Sequence, residues 1–203
     1  DFYRPEPTWT WSADSYQPGA TMKANTPAGA VSVTVNLPGR ANRGNASQAL
    51  AAAVALGVDP KQGAAGIAKV SAVAGRYASL DVNGKSVRLL LAKNPAGWQE
   101  SLTMLDPQAA LVVGVNGQRA DGTDLSWLWD VDFDKLAGAR VWATGERGAD
   151  LQVRLRYAGV DAQYADTPLQ GLDKIPGGRV DMLLNYTSFR DTRAELIRKG
   201  LMK

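Results

Sequence analysis

Two short runs, Leu89-Leu90-Leu91-Ala92 and Ala110-Leu111-Val112-Val113, are apolar at every position. A strand with one wet face alternates polar with apolar, so unbroken runs of this length predict strands buried on both faces of a parallel sheet. In such sheets ligands collect at the carboxyl ends of the strands, which here carry Lys93-Asn94-Pro95 and the stretch from Asn116 to Asp121. A short helix is expected between the two runs. After the second run comes a polar loop that gathers Asp121, Asp124 and Asp130 around Trp127 and Trp129. Strand and helix then alternate. Strands are predicted at 140–144, about 162–164 and 180–186. The helices are 149–157, stopped by Gly159; one opened by Thr167-Pro168-Leu169-Gln170; and 188–199, with Ser188 and Asp191 as a capping pair. Before all of these, residues 77–82 and 86–92 form a hairpin turned by Asn83-Gly84, a pair that accepts positive φ at both centres of a type I′ turn. Repeated strand–helix units predict an α/β fold with an open, mostly parallel, Rossmann-like sheet and helices on both faces.

The first part of the chain has a different pattern. Residues 1–29 are rich in Pro, Thr, Gly and Trp, with Trp9-Thr10-Trp11 alternating like an edge strand. Val31-Ser32-Val33-Thr34-Val35 alternates as a half-buried strand does. Asn45 is placed to cap a helix over 46–56 that Gly57 ends. Asp59-Pro60 opens a second helix, weakened by Gly63 and Gly66, that runs to about Val73. The composition changes at Gly75-Arg76, and the domain boundary is expected there, giving domains 1–75 and 76–203.

Composition narrows the chemistry. The 203 residues are 45% hydrophobic, ample for a core, and the net charge of +3 with no Lys/Arg cluster gives no case for nucleic acid. Cysteine and histidine are both absent, which removes disulfides, thiolate metal sites, a cysteine nucleophile and the commonest general base from this chain. No metal site is predicted within it. No apolar run is long enough to span a membrane. The opening Asp1-Phe2-Tyr3-Arg4-Pro5-Glu6-Pro7 has neither an initiator Met nor a signal-peptide pattern, so a piece of a longer polypeptide is expected.

Each candidate for chemistry has a plainer counterpart. Gly84-Lys85-Ser86 looks like the end of a phosphate loop, but Ser79 stands where that pattern needs glycine, and the hairpin turn already accounts for Gly84. Asn42 and Asn45 either present two amides to an adenine or ribose, or merely turn and cap the chain. Arg76 is either a phosphate-binding guanidinium or an ordinary exposed charge. Lys93 and Asn94 either open onto the ligand crevice or sit on an ordinary loop. Gly145-Glu146-Arg147-Gly148 is either an anion site at a helix start or a tight turn. Asp121, Asp124 and Asp130 either do acid–base work, with a histidine from another chain, or are solvated turn residues.

Pro38-Gly39-x-x-Asn42-x-x-Asn45, the alanine-rich helix ending at Gly57, and Gly75-Arg76 together resemble the second half of the central domain of Mur ligases, the ATP-dependent enzymes of peptidoglycan synthesis. Ala92-Lys93-Asn94-Pro95-Ala96-Gly97-Trp98, Ala120-Asp121-Gly122-x-Asp124-x-Ser126-Trp127-x-Trp129-Asp130 and Ala143-Thr144-Gly145-Glu146-Arg147 are similar to the C-terminal domain of the MurT family. These are the ligase-like subunits of lipid II isoglutaminyl synthase. Residues 1–75 then correspond to the end of the central, ATP-binding domain and 76–203 to the C-terminal domain. Ordinary Mur ligases carry Asp-Tyr-Ala-His-Asn-Pro where this chain has Leu90-Leu91-Ala92-Lys93-Asn94-Pro95, and Ala41 replaces a histidine often found before Asn42. The first departure suits an acceptor that is ammonia and not an amino acid.

The resemblance implies ATP-dependent activation of the D-glutamate α-carboxyl of the lipid II stem peptide and its amidation to D-isoglutamine. ATP and Mg2+ would be held mainly by upstream parts, and zinc by an upstream four-cysteine ribbon. Asn42, Asn45, Arg76, Lys93 and Asn94 would line the nucleotide side. Ammonia would come from a GatD-like glutaminase subunit, whose triad an aspartate of this chain completes: Asp121 first, then Asp130, then Asp124. The expected place of action is cytoplasmic, at the inner face of the membrane, and the chain alone is expected to be inactive. The alternatives are an amino-acid-adding ligase of the Mur or folylpolyglutamate type, against which Lys93 argues, and a non-catalytic α/β docking module.

Overall fold

The computed structural model describes residues 3, 5–73 and 76–202, and the chain divides into two compact units, Asp1–Ala72 and Val73–Lys203. Gly75 of the Gly75-Arg76 pair lies outside the described residues, as do Asp1, Phe2 and Arg4 of the opening stretch.

The first unit is a three-stranded antiparallel sheet with two helices. Strands β1 (Thr10–Ala13), β2 (Ala20–Thr26) and β3 (Gly29–Val35) lie in that order. β2 was not expected. Its weak strand formers, Ala, Lys and Asn, mask an alternation that buries Met22 and Ala24 against Val33 and Val35. Helix α1 (Arg40–Ala55) begins well before the cap expected at Asn45. Gly39, at φ 95°, takes the backbone geometry that starts the helix there. Arg43 on its first turn is fully buried and donates to the carbonyl oxygens of Leu37 and Gln17, the latter at 2.7 Å. Helix α2 (Pro60–Ile67) opens as expected, with Asp59 Oδ1 accepting from the Lys61 and Gln62 amides at 2.9 and 3.1 Å. It stops short of Val73. The Ala68 carbonyl accepts instead from the Asn36 side chain at 2.7 Å, and two glycines within the helix weaken its propagation.

The second unit is the expected α/β sheet. Its strands are β4 (Tyr77–Val82), β5 (Lys85–Leu91), β6 (Ala110–Gly114), β7 (Val141–Thr144), β8 (Ala162–Tyr164) and β9 (Gly178–Leu184), in spatial order β4-β5-β9-β6-β7-β8. All pairs are parallel except the β4–β5 hairpin, whose turn has Asn83 at φ 52° and Gly84 at φ 77°. Among the described residues, four helices and two 3-10 turns cover the sheet: α3 (Pro95–Met104), the turns Ser126–Asp130 and Phe133–Leu136, α4 (Gly148–Tyr157), α5 (Pro168–Asp173) and α6 (Tyr186–Arg198). On one face Val87, Leu89, Val112, Trp142, Val180 and Met182 pack against Leu169, Leu172 and Ile175 around α5 and Phe189 and Leu196 of α6. Strand residues of opposite parity face the layer of α3, the 3-10 turns and α4. On that side Arg88 and Asp181 form an ion pair at 2.5 Å, and Arg88 also reaches the Met104 carbonyl at the end of α3.

The last helix differs from expectation. It starts at Tyr186 after Asn185, and Ser188 is buried within its first turn, so Ser188 and Asp191 do not cap it. β9 correspondingly runs 178–184 and not 180–186.

Candidate functional site

β9 leads into α6 on one face, and its neighbour β6 leads into the 3-10 turns on the other. Where adjacent strands send their connections to opposite faces, a crevice opens at their carboxyl ends. Here two buried asparagines close the strand ends together. The Asn116 amide donates to Asn185 Oδ1 at 3.0 Å, and Asn185 Nδ2 donates to the Asn116 carbonyl at 2.7 Å. Asn116 Oδ1 in turn accepts from the Glu146 amide at 3.0 Å, which joins the end of β7. Gly145, at φ 93°, makes this turn. A Cβ there would lie 2.6 Å from the Val115 carbonyl oxygen. The amides of Glu146 and Arg147 are both occupied, by Asn116 Oδ1 and the Val115 carbonyl, so Gly145-Glu146-Arg147-Gly148 is a tight turn. The expectations from sequence missed Asn185 as an organiser. The only local signal is an amide directly after the buried pair Leu183-Leu184.

Because the Asn185 side chain is engaged with the backbone of Asn116, just past the end of β6, it makes no cap bond to α6. Asp121 takes its place from the loop after β6. Its Oδ1 accepts from the Thr187 amide at 2.9 Å and its Oδ2 from the Thr187 hydroxyl. A carboxylate at this position satisfies an orphan N–H and meets the positive end of the helix dipole. Asp124 is engaged differently. Its Oδ1 accepts from the Ser126 amide at 2.8 Å, and the bonds from Ser126, the backbone one first, hold its carboxyl below the usual value.

Asp130 ends the Ser126–Asp130 turn, and among the described residues nothing bonds to its exposed side chain. Its neighbour Trp129 is 57% exposed and meets the ring of Tyr157, 76% exposed, edge-on at 5.4 Å. Trp127 points the other way, its ring 5.7 Å from that of the buried Trp98, which also packs edge-on against Phe133. The turn is held from both sides. Arg154 of α4 donates to the Leu128 and Val131 carbonyls at 3.1 and 2.7 Å, and Gln99 of α3 donates to the Asp130 carbonyl at 3.3 Å. Neither Arg154 nor Gln99 was singled out from sequence, since each reads there as an ordinary polar helix position.

At the end of β5, Lys93 is exposed, and its Nζ lies 4.2 Å from the centre of the Tyr186 ring at the start of α6. No carboxylate pairs with it among the described residues. Asn94 caps α3, its Oδ1 accepting from the Gly97 amide at 2.9 Å, with Pro95 at the first helical position. Arg76 is exposed at the start of the second unit, its carbonyl accepting from the Leu91 amide at 3.1 Å. In the first unit Asn42 donates to the Pro38 carbonyl at 2.7 Å and accepts from Asn45 at 3.4 Å. Both amides therefore lie on the first two turns of α1. Lys85 donates its Nζ to the Leu172 carbonyl at 3.0 Å and is buried, a packing role and not a phosphate one. Among the described residues no group of three or more acidic side chains is placed to hold a metal.

Residues 91–189 match the family model of the MurT ligase C-terminal domain. The MurT subunit of lipid II isoglutaminyl synthase (glutamine-hydrolyzing) from Staphylococcus aureus strain COL is 39% identical over 93 residues, covering 43% of this chain and 21% of that protein. The corresponding subunit from Streptococcus pneumoniae is 35% identical over 135 residues, covering 64% of this chain and 30% of the relative. The chain thus spans less than a third of the length of these relatives. A crystal structure of MurF ligase from Thermotoga maritima in complex with ADP superimposes with a TM-score of 0.64 at 15% identity, over 96% of this chain and 47% of that one, which shows a shared fold. The aspartate-tryptophan loop, the Lys93-Asn94-Pro95 strand end and the Gly145 turn all fall inside residues 91–189, the region that the MurT ligase C-terminal family model matches.

Proposed function

We propose that this chain is the C-terminal part of an ATP-dependent, peptidoglycan-modifying ligase subunit that amidates the stem peptide of lipid II with ammonia from a glutaminase subunit. The partner, of the GatD kind, carries a nucleophilic cysteine and a histidine, and this chain supplies the third member of its triad. The observation that carries the proposal is the contrast among the three loop aspartates. Asp121 is engaged at α6 and Asp124 in its own turn, while Asp130 is exposed, beside an exposed tryptophan, and its side chain has no bond among the described residues. Exposed aromatics beside a polar group are common anchors of interfaces. We therefore place Asp130 first, ahead of Asp121, which ranked first on sequence alone. A carboxylate that accepts from an imidazole N–H fixes the tautomer and stabilises the imidazolium, and losing it costs about 10⁴ in rate in a Ser-His-Asp enzyme.

Within the second unit Lys93, Asn94 and Arg76 are assigned to a nucleotide-binding role; separately, residues 1–75, with Asn42 and Asn45, are assigned to the end of the central, ATP-binding domain. Lys93 fits a phosphoryl group: it is an exposed cation at a strand's carboxyl end, steadied by the face of Tyr186 and without an acidic partner among the described residues. ATP with Mg2+ would supply the phosphoryl group that activates the carboxylate. Action at the cytoplasmic face of the membrane belongs to the same proposal. No helix among the described residues is long and apolar enough to cross a membrane.

The test is Asp130→Asn in the complete two-subunit complex. Glutamine-dependent amidation is expected to fall by about 10³–10⁴, complex formation to persist, and free ammonia to restore part of the rate. Full glutamine hydrolysis by Asp130→Asn would refute the assignment, and an intact complex that amidates with neither nitrogen source would refute the reaction.

A further inference from the structure

We propose that Arg154 is the positioning residue for the carboxylate of Asp130, acting with Gln99 as a clamp on the turn that presents Asp130 and Trp129. This rests on the assignment of Asp130 to the partner's triad. Arg154 donates from Nε to the Leu128 carbonyl at 3.1 Å and from Nη2 to the Val131 carbonyl at 2.7 Å, the two carbonyls that bracket Trp129 and Asp130. Its guanidinium carbon lies 5.2 Å from the centre of the Trp129 ring and 5.4 Å from that of Phe133. From α3, Gln99 donates to the intervening Asp130 carbonyl at 3.3 Å, and its own Oε1 accepts from Lys135 at 3.5 Å.

A 3-10 turn is short and its internal hydrogen bonds are poor, so outside donors set its orientation. A planar fork holds two separate carbonyls with donors in fixed directions while lying against aromatic rings; an ammonium is a compact point charge on a flexible stem and fixes neither direction. The Asp130 side chain has no bond of its own among the described residues, so the direction of its carboxylate is inherited from this backbone. Direction is what a triad carboxylate contributes, and a misplacement of about 1 Å costs on the order of 10²-fold in rate. Arg154 thus couples the register of α4 to the partner's glutamine chemistry without touching the reacting atoms.

The experiment compares Arg154→Lys, Gln99→Ala and Asp130→Asn in the complete complex, with Arg156→Lys, an exposed neighbour on α4, as the control. Melting temperature, complex formation, kcat and KM for glutamine hydrolysis, and ammonia-fed amidation are measured on each. Arg154→Lys is expected to lower kcat for glutamine by about 10²-fold with KM held within about twofold, and to raise the ratio of ammonia-fed to glutamine-fed rate by the same factor. Gln99→Ala is expected to shift the same ratio by a smaller factor, and Arg156→Lys to match wild type. Equal losses with both nitrogen sources, or a wild-type kcat in Arg154→Lys, would overturn the clamp. Should Arg154→Lys fail to assemble, a wild-type ratio in Gln99→Ala would overturn it instead. If Asp130→Asn itself hydrolyses glutamine normally, the underlying assignment has failed; an inactive Asp130→Asn beside a fully active Arg154→Lys defeats the clamp alone.

Discussion

Replacing Asp121 by alanine removes both acceptors that close the start of α6. The Thr187 amide, held at 2.9 Å, and the Thr187 hydroxyl lose their partner together, and Thr187 is fully buried. Loss of an N-cap acceptor costs about 0.5–2 kcal/mol, and a negative charge at a partly buried helix start contributes up to about 2 kcal/mol. These overlap, since the cap and the dipole act through the same orphan N–H groups. The expected loss is about 2–3 kcal/mol for Asp121→Ala and about half of that for Asp121→Asn, which keeps an acceptor and loses the charge. For a unit of this size about 1 kcal/mol corresponds to about 3–5 °C, so Asp121→Ala should melt about 6–15 °C below wild type. Urea unfolding with Thr187→Val as the second arm of a double-mutant cycle measures the pair directly, with a coupling of about 1–2 kcal/mol expected. Hydrogen exchange in the first turn of α6 should accelerate in the same variant. An Asp121→Ala protein within about 0.5 kcal/mol of wild type, with unchanged exchange in α6, would refute the capping role.

Asp181→Ala should destabilise the second unit by about 3–5 kcal/mol because it strands the mostly buried Arg88, whereas Arg88→Met combined with Asp181→Leu should recover most of that loss; additive losses in urea unfolding would contradict it. Asp106 has its carboxyl lowered from 3.8, first by the bond from the Gln108 amide and then by Arg179. Its contribution is therefore complete above the ordinary value and lost as pH falls through the lower folded one, so Asp106→Asn should flatten the stability profile below about pH 4; an unchanged acid limb refutes this. Lys93→Ala and Tyr186→Leu in the complete complex should each raise the KM for ATP several-fold, while Tyr186→Phe, which keeps the ring face, should not; equal effects of the two Tyr186 variants would show that the ring is not what holds the lysine.

Features that depend on a few adjacent residues were legible in the sequence. The Asn83-Gly84 turn requires two positive φ angles in a row, and Asp59-Pro60 and Thr167-Pro168 cap their helices with side chains two or three residues from the amides they meet. The buried runs at 89–92 and 110–113 announced a parallel sheet because no polar position interrupts them. Tertiary structure decided what rests on contacts between distant segments. α1 starts at Arg40 because Arg43 finds carbonyls at Gln17 and Leu37, and α6 starts at Tyr186 because Asn185 pairs with Asn116 and leaves the helix end to Asp121. The same contacts sorted the three aspartates. In the linear chain all three look like turn residues beside tryptophans, and Asp121 looks the freest, flanked by Ala120 and Gly122. Folding brings Thr187, 66 positions away, onto its carboxylate, and Arg154 and Gln99 onto the carbonyls around Asp130. A side chain's availability depends on which distant donors reach it, and no local pattern records those distances.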